Sequence, residues 1–334
     1  MHEANQFSQL IEDSQRILIT SHISPDPDAV SSVLLLGTTL KHNFPGKEVC
    51  MILEEEPSRD LSFLSGYSEI KFQSLLQATN EFKPDLFIMV DAMNLERCCR
   101  SDAAAVRSTT QELGSKMAVI DHHQKIDVEA GAIYINKQNP ATAQELYEVL
   151  FYELSLQKPE GYAQTTLLGI ISDTARHKYD NPRHRETFKV VSELIDAGAS
   201  IEQLENKTER YTSQQLQAFA KLAANTKDSG EGYTYSFIDS EFDGAAIKAA
   251  AEIFTSQFAR NFENNNWGFV VYPEVASGPD IFAVSFRSLS GSVDVAALAN
   301  KLGGGGHKQA AGAKFQAKNI KDALQMVEDA ISST

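Results

Sequence analysis

Short apolar runs that end on acids or histidines constrain this chain more than any other feature. Residues 17–20 (ILIT), 85–90 (DLFIMV) and 117–120 (MAVI) are too short for helices and do not alternate in polarity, so they read as buried strands. His22, Asp26 and Asp28 follow the first run, Asp91 the second, and Asp121-His122-His123 the third. Residues 48–53 form a fourth such run, and 30–40 carry enough Leu and Val for a helix packed against the first. Short apolar strands separated by helices predict an α/β fold with a doubly wound parallel sheet, although spacing does not set the strand order. Thr142-x-x-Glu145 has the form of a capping box and predicts a helix running through Leu150.

The pattern turns helical over 186–224 and is followed by a polar, glycine-containing stretch, KDSGEGYT. This predicts a first domain over 1–190, a helical linker over 191–211, and a smaller α+β domain over 212–334. In the last domain 233–238, 267–272 and 281–286 read as strands, and 245–258 and 293–302 as helices. The chain has 334 residues, 42% of them apolar, which suffices for two such cores. No apolar run approaches the roughly 18 residues of a membrane helix. The opening MHEANQFSQLIEDSQ lacks a secretion pattern, and Cys50, Cys98 and Cys99 make no Cys-x-x-Cys spacing, so the expected location is a reducing cytoplasm, with no membrane partner. A net charge of −15 repels long polyanions, so a nucleic-acid substrate has to be short, or be drawn in by cations and a local basic cluster.

Strand ends of an open α/β sheet form its ligand crevice, so residues far apart in sequence converge there. Asp173, in GIISDT, adds a fourth acidic segment. Alone, each segment has a plain reading: Asp26-Pro-Asp28 as a turn, a strand-end Asp as a turn former, and His122-His123 as surface. Their joint occurrence argues for a site. His22, Asp26, Asp28, Asp91, His122 and Asp173 supply four carboxylates and two imidazoles. Four bare carboxylates in one crevice repel one another, whereas two divalent cations match their charge. A donor set of oxygen and imidazole nitrogen without thiolate favours Mn²⁺ or a similar ion over structural zinc. Two such cations, roughly 3.5–4 Å apart, can activate water and clamp the oxygens of a phosphoryl group.

Asp121-His122-His123 and His22-Ile-Ser-Pro-Asp26-Pro-Asp28-Ala resemble the motifs of the DHH phosphoesterase family. The resemblance implies that His22, Asp26 and Asp91 hold one Mn²⁺, and that Asp28, Asp91, His122 and Asp173 hold a second, with Asp91 shared. It places His123 beside the scissile phosphate as a catalytic residue, with Asp121 orienting from behind. Two positions depart from the family pattern: Ser31-Ser32 stands for Gly-Ser, and Ala175 for a Gly after Asp-Thr. Neither removes a ligand.

Gly303 to Gly306 read by composition as a flexible linker. His307 and Lys308 follow, however, and consecutive glycines can turn backbone N–H groups toward an anion. Arg287 can grip a phosphate with two parallel hydrogen bonds. Arg287-Ser288 (or Ser285-Phe-Arg287-Ser288) and GGGGHKQAAG resemble the DHH-associated C-terminal domain, which implies substrate binding by Arg287, Gly304, Gly305, Gly306 and His307 across a cleft from the metals. Length and layout resemble the oligoribonuclease branch of the family, which hydrolyses very short RNA to nucleoside 5′-monophosphates and dephosphorylates 3′-phosphoadenosine 5′-phosphate. The implied partners are short RNA oligonucleotides or small nucleotides, not long duplexes, and a homodimer is compatible with this. Two alternatives stay open: a cyclic or linear dinucleotide phosphodiesterase, and a non-catalytic nucleotide-binding regulator. Retention of every ligand position speaks against the second.

Overall fold

The computed structural model describes residues 2–178, 181–239, 242–274, 277–278 and 280–333. The chain divides into two compact units, Met1–Glu209 and Arg210–Thr334. Among the described residues no helix is long and apolar enough to cross a membrane.

The first unit is built on six parallel strands: β1 (Arg16–Thr20), β2 (Glu48–Leu53), β3 (Ile70–Phe72), β4 (Leu86–Val90), β5 (Lys116–Ile120) and β6 (Ile133–Ile135). Their order is β3-β2-β1-β4-β5-β6. Helices cover both faces, which is why the central strands read as unbroken apolar runs. One face places Ile17, Ile19, Ile88, Val90 and Ile120 under α1 (His2–Asp13), α2 (Pro27–Asn43), α6 (Thr142–Tyr147) and α7 (Tyr162–Asp173). The other packs Leu18, Phe87, Met89 and Val119 against α3 (Leu75–Phe82), α4 (Leu95–Cys98) and α5 (Ala103–Leu113). The edge strands β3 and β6 span three residues each, too short to stand out as apolar runs.

Strand order reverses between β1 and β4, so the two strands diverge to opposite halves of the sheet and leave a crevice at their C-terminal ends. Helix α2 opens into that crevice. Asp26 caps it, its Oδ1 accepting from the N–H groups of Asp28 and Ala29 at 3.0 Å each, and Pro27 supplies the first helical residue. Gly169 lets α7 lie against α2 and α6: a Cβ there would fall 2.4 Å from Asp28 Oδ1 and 2.5 Å from Ala143 Cβ.

The linker expected over 191–211 corresponds instead to the end of α8 (His184–Asp196) and to α9 (Ile201–Thr208), which belong to the first unit. Leu194, Ala199 and Leu204 bury their apolar side chains in that unit's core, a role a spacer does not have.

The second unit has a mixed sheet: β7 (Lys227–Asp228), β8 (Thr234–Phe237), β9 (Trp267–Pro273), β10 (Ile281–Ser288), β11 (Gly305–His307) and β12 (Ala310–Gln316), in the order β11-β12-β10-β9-β8-β7. Among the described residues only the β8–β9 pair is parallel. Its two faces carry separate cores. Phe269, Val271, Val284 and Phe286 meet α12 (Val295–Lys301) and α13 (Ile320–Ser332). Val270, Tyr272 and Ala283 meet α10 (Ser213–Ala224) and α11 (Gly244–Gln257).

The glycine tract is neither a linker nor an open nest. Gly303 lies at φ +76° and donates to Asn300 O (3.1 Å), while Gly304 donates to Ala299 O (2.8 Å), closing the C-terminus of α12. Gly305 and Gly306 enter β11 and pair with Gly312 and Ala311.

Candidate active site

Three strand ends and two helix ends, the start of α2 and the end of α7, supply the site. β1 runs into the loop carrying His22, whose Nδ1 donates to Ile23 O at 2.8 Å, a bond that leaves Nε2 as the ligating position. The same loop is anchored by Ile23 N–H to Arg97 O, 2.8 Å. At the end of β4 the buried Asp91 takes φ +55°, a left-handed conformation that Asp tolerates better than most residues. Its N–H still bonds Ile120 O at 3.0 Å, so the carboxylate turns into the crevice while the backbone stays tied to β5. β5 ends on Asp121, His122 and His123, and α7 ends on Asp173.

The six expected ligands fall in two sets that share no residue, joined by a third cluster, Asp91, Asp121, His122 and His123, which has Asp91 in common with one and His122 with the other. In the first, one ligand atom each of His22, Asp26 and Asp91 lies within 4.8 Å of the others; in the second, Asp28, His122 and Asp173 do. Asp91 stands between them, its Oδ2 3.4 Å from His22 Nε2 and its Oδ1 3.6 Å from His122 Nε2. His122 Nε2 is 3.0 Å from Asp173 Oδ2, yet this buried nitrogen has hydrogen-bond geometry to no acceptor. An orphaned buried imidazole nitrogen among carboxylates is what a cation-ligand position looks like before loading. The donors present therefore fit a pair of divalent ions.

Burial works against ionised His22, but the hydrogen bond and charge of Asp91, then Asp26, raise it to about 9. Burial likewise opposes charge on His122, but Asp173, Asp91 and Asp28 raise it to about 10. Burial pushes Asp28 well up, with Asp173 and Asp91 adding to it, and pushes Asp173 to about 6 against the pull of His122. Asp91 goes the other way: burial would raise it, but the His22 hydrogen bond and the charges of His122, His22 and His123 hold it far below the ordinary carboxylate range.

Asp121 is buried and does not reach into the first two sets by the same route. Its Oδ1 accepts from His123 Nδ1 at 2.8 Å and from His123 N–H at 2.9 Å, which fixes the ring's tautomer and tilt. His123 Nδ1 also lies 3.5 Å from Asp91 Oδ1. The capping box expected at Thr142 is not formed. Ala141 is the N-cap residue, Thr142 Oγ1 donates to Asp91 Oδ1 (2.9 Å), and Glu145 Oε1 accepts from the N–H groups of Lys137 and Asn139. Asp28 caps α6 in its place, accepting from Thr142 N–H (2.7 Å) and Ala143 N–H (3.0 Å). Beyond Tyr147 the helix widens into a π-helical turn, Glu148–Glu153, rather than continuing regularly.

In the second unit Arg287, Ala310 and His307 stand in one row across β10, β12 and β11. Residues in register on neighbouring strands face the same side, so Arg287 and His307 share a face about 10 Å apart. Arg287 Nη1 donates to Phe286 O at 2.9 Å. A cavity of ≈ 290 Å³ is lined by Arg287, Ser285, Gly305, Gly312, Glu252 and Tyr272. Gly305 reaches this cavity; the amide of Gly304 is spent on the α12 terminus, and Gly306 and His307 lie along β11 outside the lining. No sequence pattern pointed to Glu252 or Tyr272. A larger cavity of ≈ 490 Å³, beside Leu10, Arg107, Lys116 and Glu129, sits at the start of β5, away from the acidic strand ends.

Comparison with known proteins finds relatives of both units. The chain matches the DHH family N-terminal domain over residues 16–170 and the DHHA1 domain over residues 230–333. It is 27% identical over 318 residues to the bifunctional oligoribonuclease and PAP phosphatase NrnA of Bacillus subtilis, covering 92% of each chain. It is 26% identical to the protein of the same name from Mycoplasma pneumoniae, over 96% of this chain and 93% of that one. Its fold is similar to that of an exopolyphosphatase-related protein from Bacteroides fragilis, with TM-score 0.84, 22% identity, and coverage of 99% of this chain and 96% of the other.

Proposed function

We propose that this chain, which carries a DHH family N-terminal domain followed by a DHHA1 domain, is a phosphoesterase that uses two divalent cations, Mn²⁺ foremost, to hydrolyse very short oligoribonucleotides to nucleoside 5′-monophosphates and to remove the 3′-phosphate of 3′-phosphoadenosine 5′-phosphate. The observation that carries the reading is the pair of ligand sets at the ends of β1, β4, β5, α2 and α7, with Asp91 of one set 3.6 Å from His122 of the other. The similarity to proteins named NrnA over nearly the whole chain supports the substrate class. The net charge of −15 suits substrates of a few nucleotides rather than long polyanions.

His22, Asp26 and Asp91 would hold one cation, and Asp28, Asp91, His122 and Asp173 the other. When bound, such a pair lowers the pKa of water and stabilises charge on phosphoryl oxygens. Asp121 accepts from Nδ1 of His123 and so would orient that ring beside the scissile phosphate. In the second unit Arg287 would take a phosphate through paired N–H groups, with Gly305 leaving room beside it and His307 adding a donor on the same face. Gly304 and Gly306 would shape the hairpin that carries these groups. The protein is proposed to act in the cytoplasm.

A substrate panel tests the reading. With Mn²⁺, purified protein is expected to release 5′-monophosphates from a ribodinucleotide and a five-mer, and phosphate from 3′-phosphoadenosine 5′-phosphate, all abolished by EDTA. Tight nucleotide binding without turnover would overturn the enzyme reading, and turnover confined to a cyclic dinucleotide would overturn the substrate assignment.

A further inference from the structure

Beyond the ligands themselves, one uncharged residue touches both proposed cation positions. Thr142, the first residue of α6, is completely buried. Its Oγ1 donates to Asp91 Oδ1 at 2.9 Å and accepts from His122 N–H at 3.3 Å. Its own N–H donates to Asp28 Oδ2 at 2.7 Å, and the next amide, Ala143 N–H, reaches Asp28 Oδ1 at 3.0 Å. Three ligands from three elements, β4, β5 and α2, thus meet on one residue of a fourth.

A hydroxyl has one proton to give and two lone pairs to receive. An ionised carboxylate accepts only, and the backbone N–H of His122 donates only, so the direction of both bonds follows from their partners. The hydroxyl proton sits on the oxygen of Asp91 that faces His122, which leaves Oδ2 turned toward His22. Asp91 is the carboxylate that both cation positions share. Its rotation about the Cβ–Cγ bond decides whether each position keeps an oxygen, and Thr142 is the residue whose hydroxyl pins that rotation.

We infer that Thr142 is a positioning residue that registers the two cation positions against each other, acting through Asp91, His122 and Asp28. The inference rests on the two-cation reading. A residue that merely filled space at this spot would serve equally well as Val, which matches Thr in shape but cannot bond either partner. Thr142→Val would leave Asp91 Oδ1 short of a donor and the His122 amide short of an acceptor, both in a buried setting. Thr142→Ser keeps the hydroxyl and removes only a methyl group.

The test is Mn²⁺ binding to the cation-free full chain by calorimetry, with the paramagnetic resonance signal of a coupled Mn²⁺ pair as a second readout. The unmodified chain is expected to bind two ions and give the coupled signal. Thr142→Val is expected to lose roughly 10–100-fold in affinity, in the range found for partners of metal ligands, and to lose the coupled signal. Thr142→Ser should stay within about threefold of the unmodified chain by the same measure. If Thr142→Val does not fold by circular dichroism, Thr142→Ala takes its place with the same expectation. Undiminished binding of two coupled ions by a folded Val or Ala variant would overturn the role of Thr142 and leave the two-cation reading intact, as would a Ser variant as defective as Val. An unmodified chain that binds no Mn²⁺ would overturn both.

Discussion

In the first unit the candidate ligands are side chains placed at the ends of parallel strands and of two helices, whereas in the second the candidate substrate-binding groups stand along strands and on a hairpin. At the ends of β1, β4 and β5 the backbone has finished its ladder, and each side chain can be turned into a common crevice. Asp91 does this by adopting a left-handed conformation. In the mixed sheet, Arg287 and His307 are held in register by strand pairing, while Gly303 and Gly304 close the end of α12 and Gly305 and Gly306 pair in β11. Chemistry made of side chains leaves residue types in the sequence that can be counted. Chemistry made of backbone geometry does not.

Substitutions can break that contrast. The largest effect is expected at Asp91: Asp91→Ala removes the shared ligand and should cut Mn²⁺-dependent hydrolysis by more than about a hundredfold, beyond the cost of losing an outer partner. Appreciable residual turnover would refute the shared position. Arg287→Ala in the second unit should act on binding, raising KM for 3′-phosphoadenosine 5′-phosphate by about ten- to a hundredfold, the worth of a charge-assisted hydrogen bond or two, with a smaller change in kcat. A loss of thermal stability with KM unchanged would make Arg287 structural.

A pH series sharpens the comparison. His22 and His122 are raised in the folded chain to about 9 and about 10, from 6.5. Groups raised on folding add stability that is complete below pH 6.5 and is lost as pH climbs through those values. Without cations, hydrogen exchange in β1, β4 and β5 should therefore accelerate from pH 7 to 10, beyond the intrinsic increase, while strands β9 and β10 follow the intrinsic rate alone. Saturating Mn²⁺ should flatten the difference, since ligands release those protons on binding. Equal behaviour of both units would remove the electrostatic half of the contrast.

The smallest effect concerns Ala175, which sits at φ +46° where the family pattern has Gly. A left-handed conformation costs a residue with a side chain roughly 1–2 kcal/mol, and Gly gives back roughly 0.4–1 kcal/mol through the freer unfolded chain. Ala175→Gly should raise the denaturant midpoint by the equivalent of about 1 kcal/mol or less. A lowered midpoint would show that Ala175 packs in a way its backbone angle does not reveal.

Much of the first unit was legible because its central strands are buried on both faces, and because the ligands are types rarely placed beside apolar runs without cause. The edge strands β3 and β6 were not, being three residues long and half-exposed. Thr142 looked like a local cap because Glu145 follows at the right spacing; its real partner, Asp91, is 51 residues away in the chain, which no local pattern encodes. The glycine tract reads as a flexible linker because composition does not tell a loose run from one that closes a helix and enters a strand. Residues 191–211 looked like a spacer because helical periodicity does not name the surface it packs on.

The carboxylates of the crevice are fastened mainly to the protein itself. Asp26 is held by the start of α2, Asp28 by the start of α6, Asp91 by a threonine and Asp121 by its neighbour's ring. A socket anchored this way keeps its form when emptied. If the crevice takes the proposed cations, one ion could replace another by diffusion in and out, without refolding.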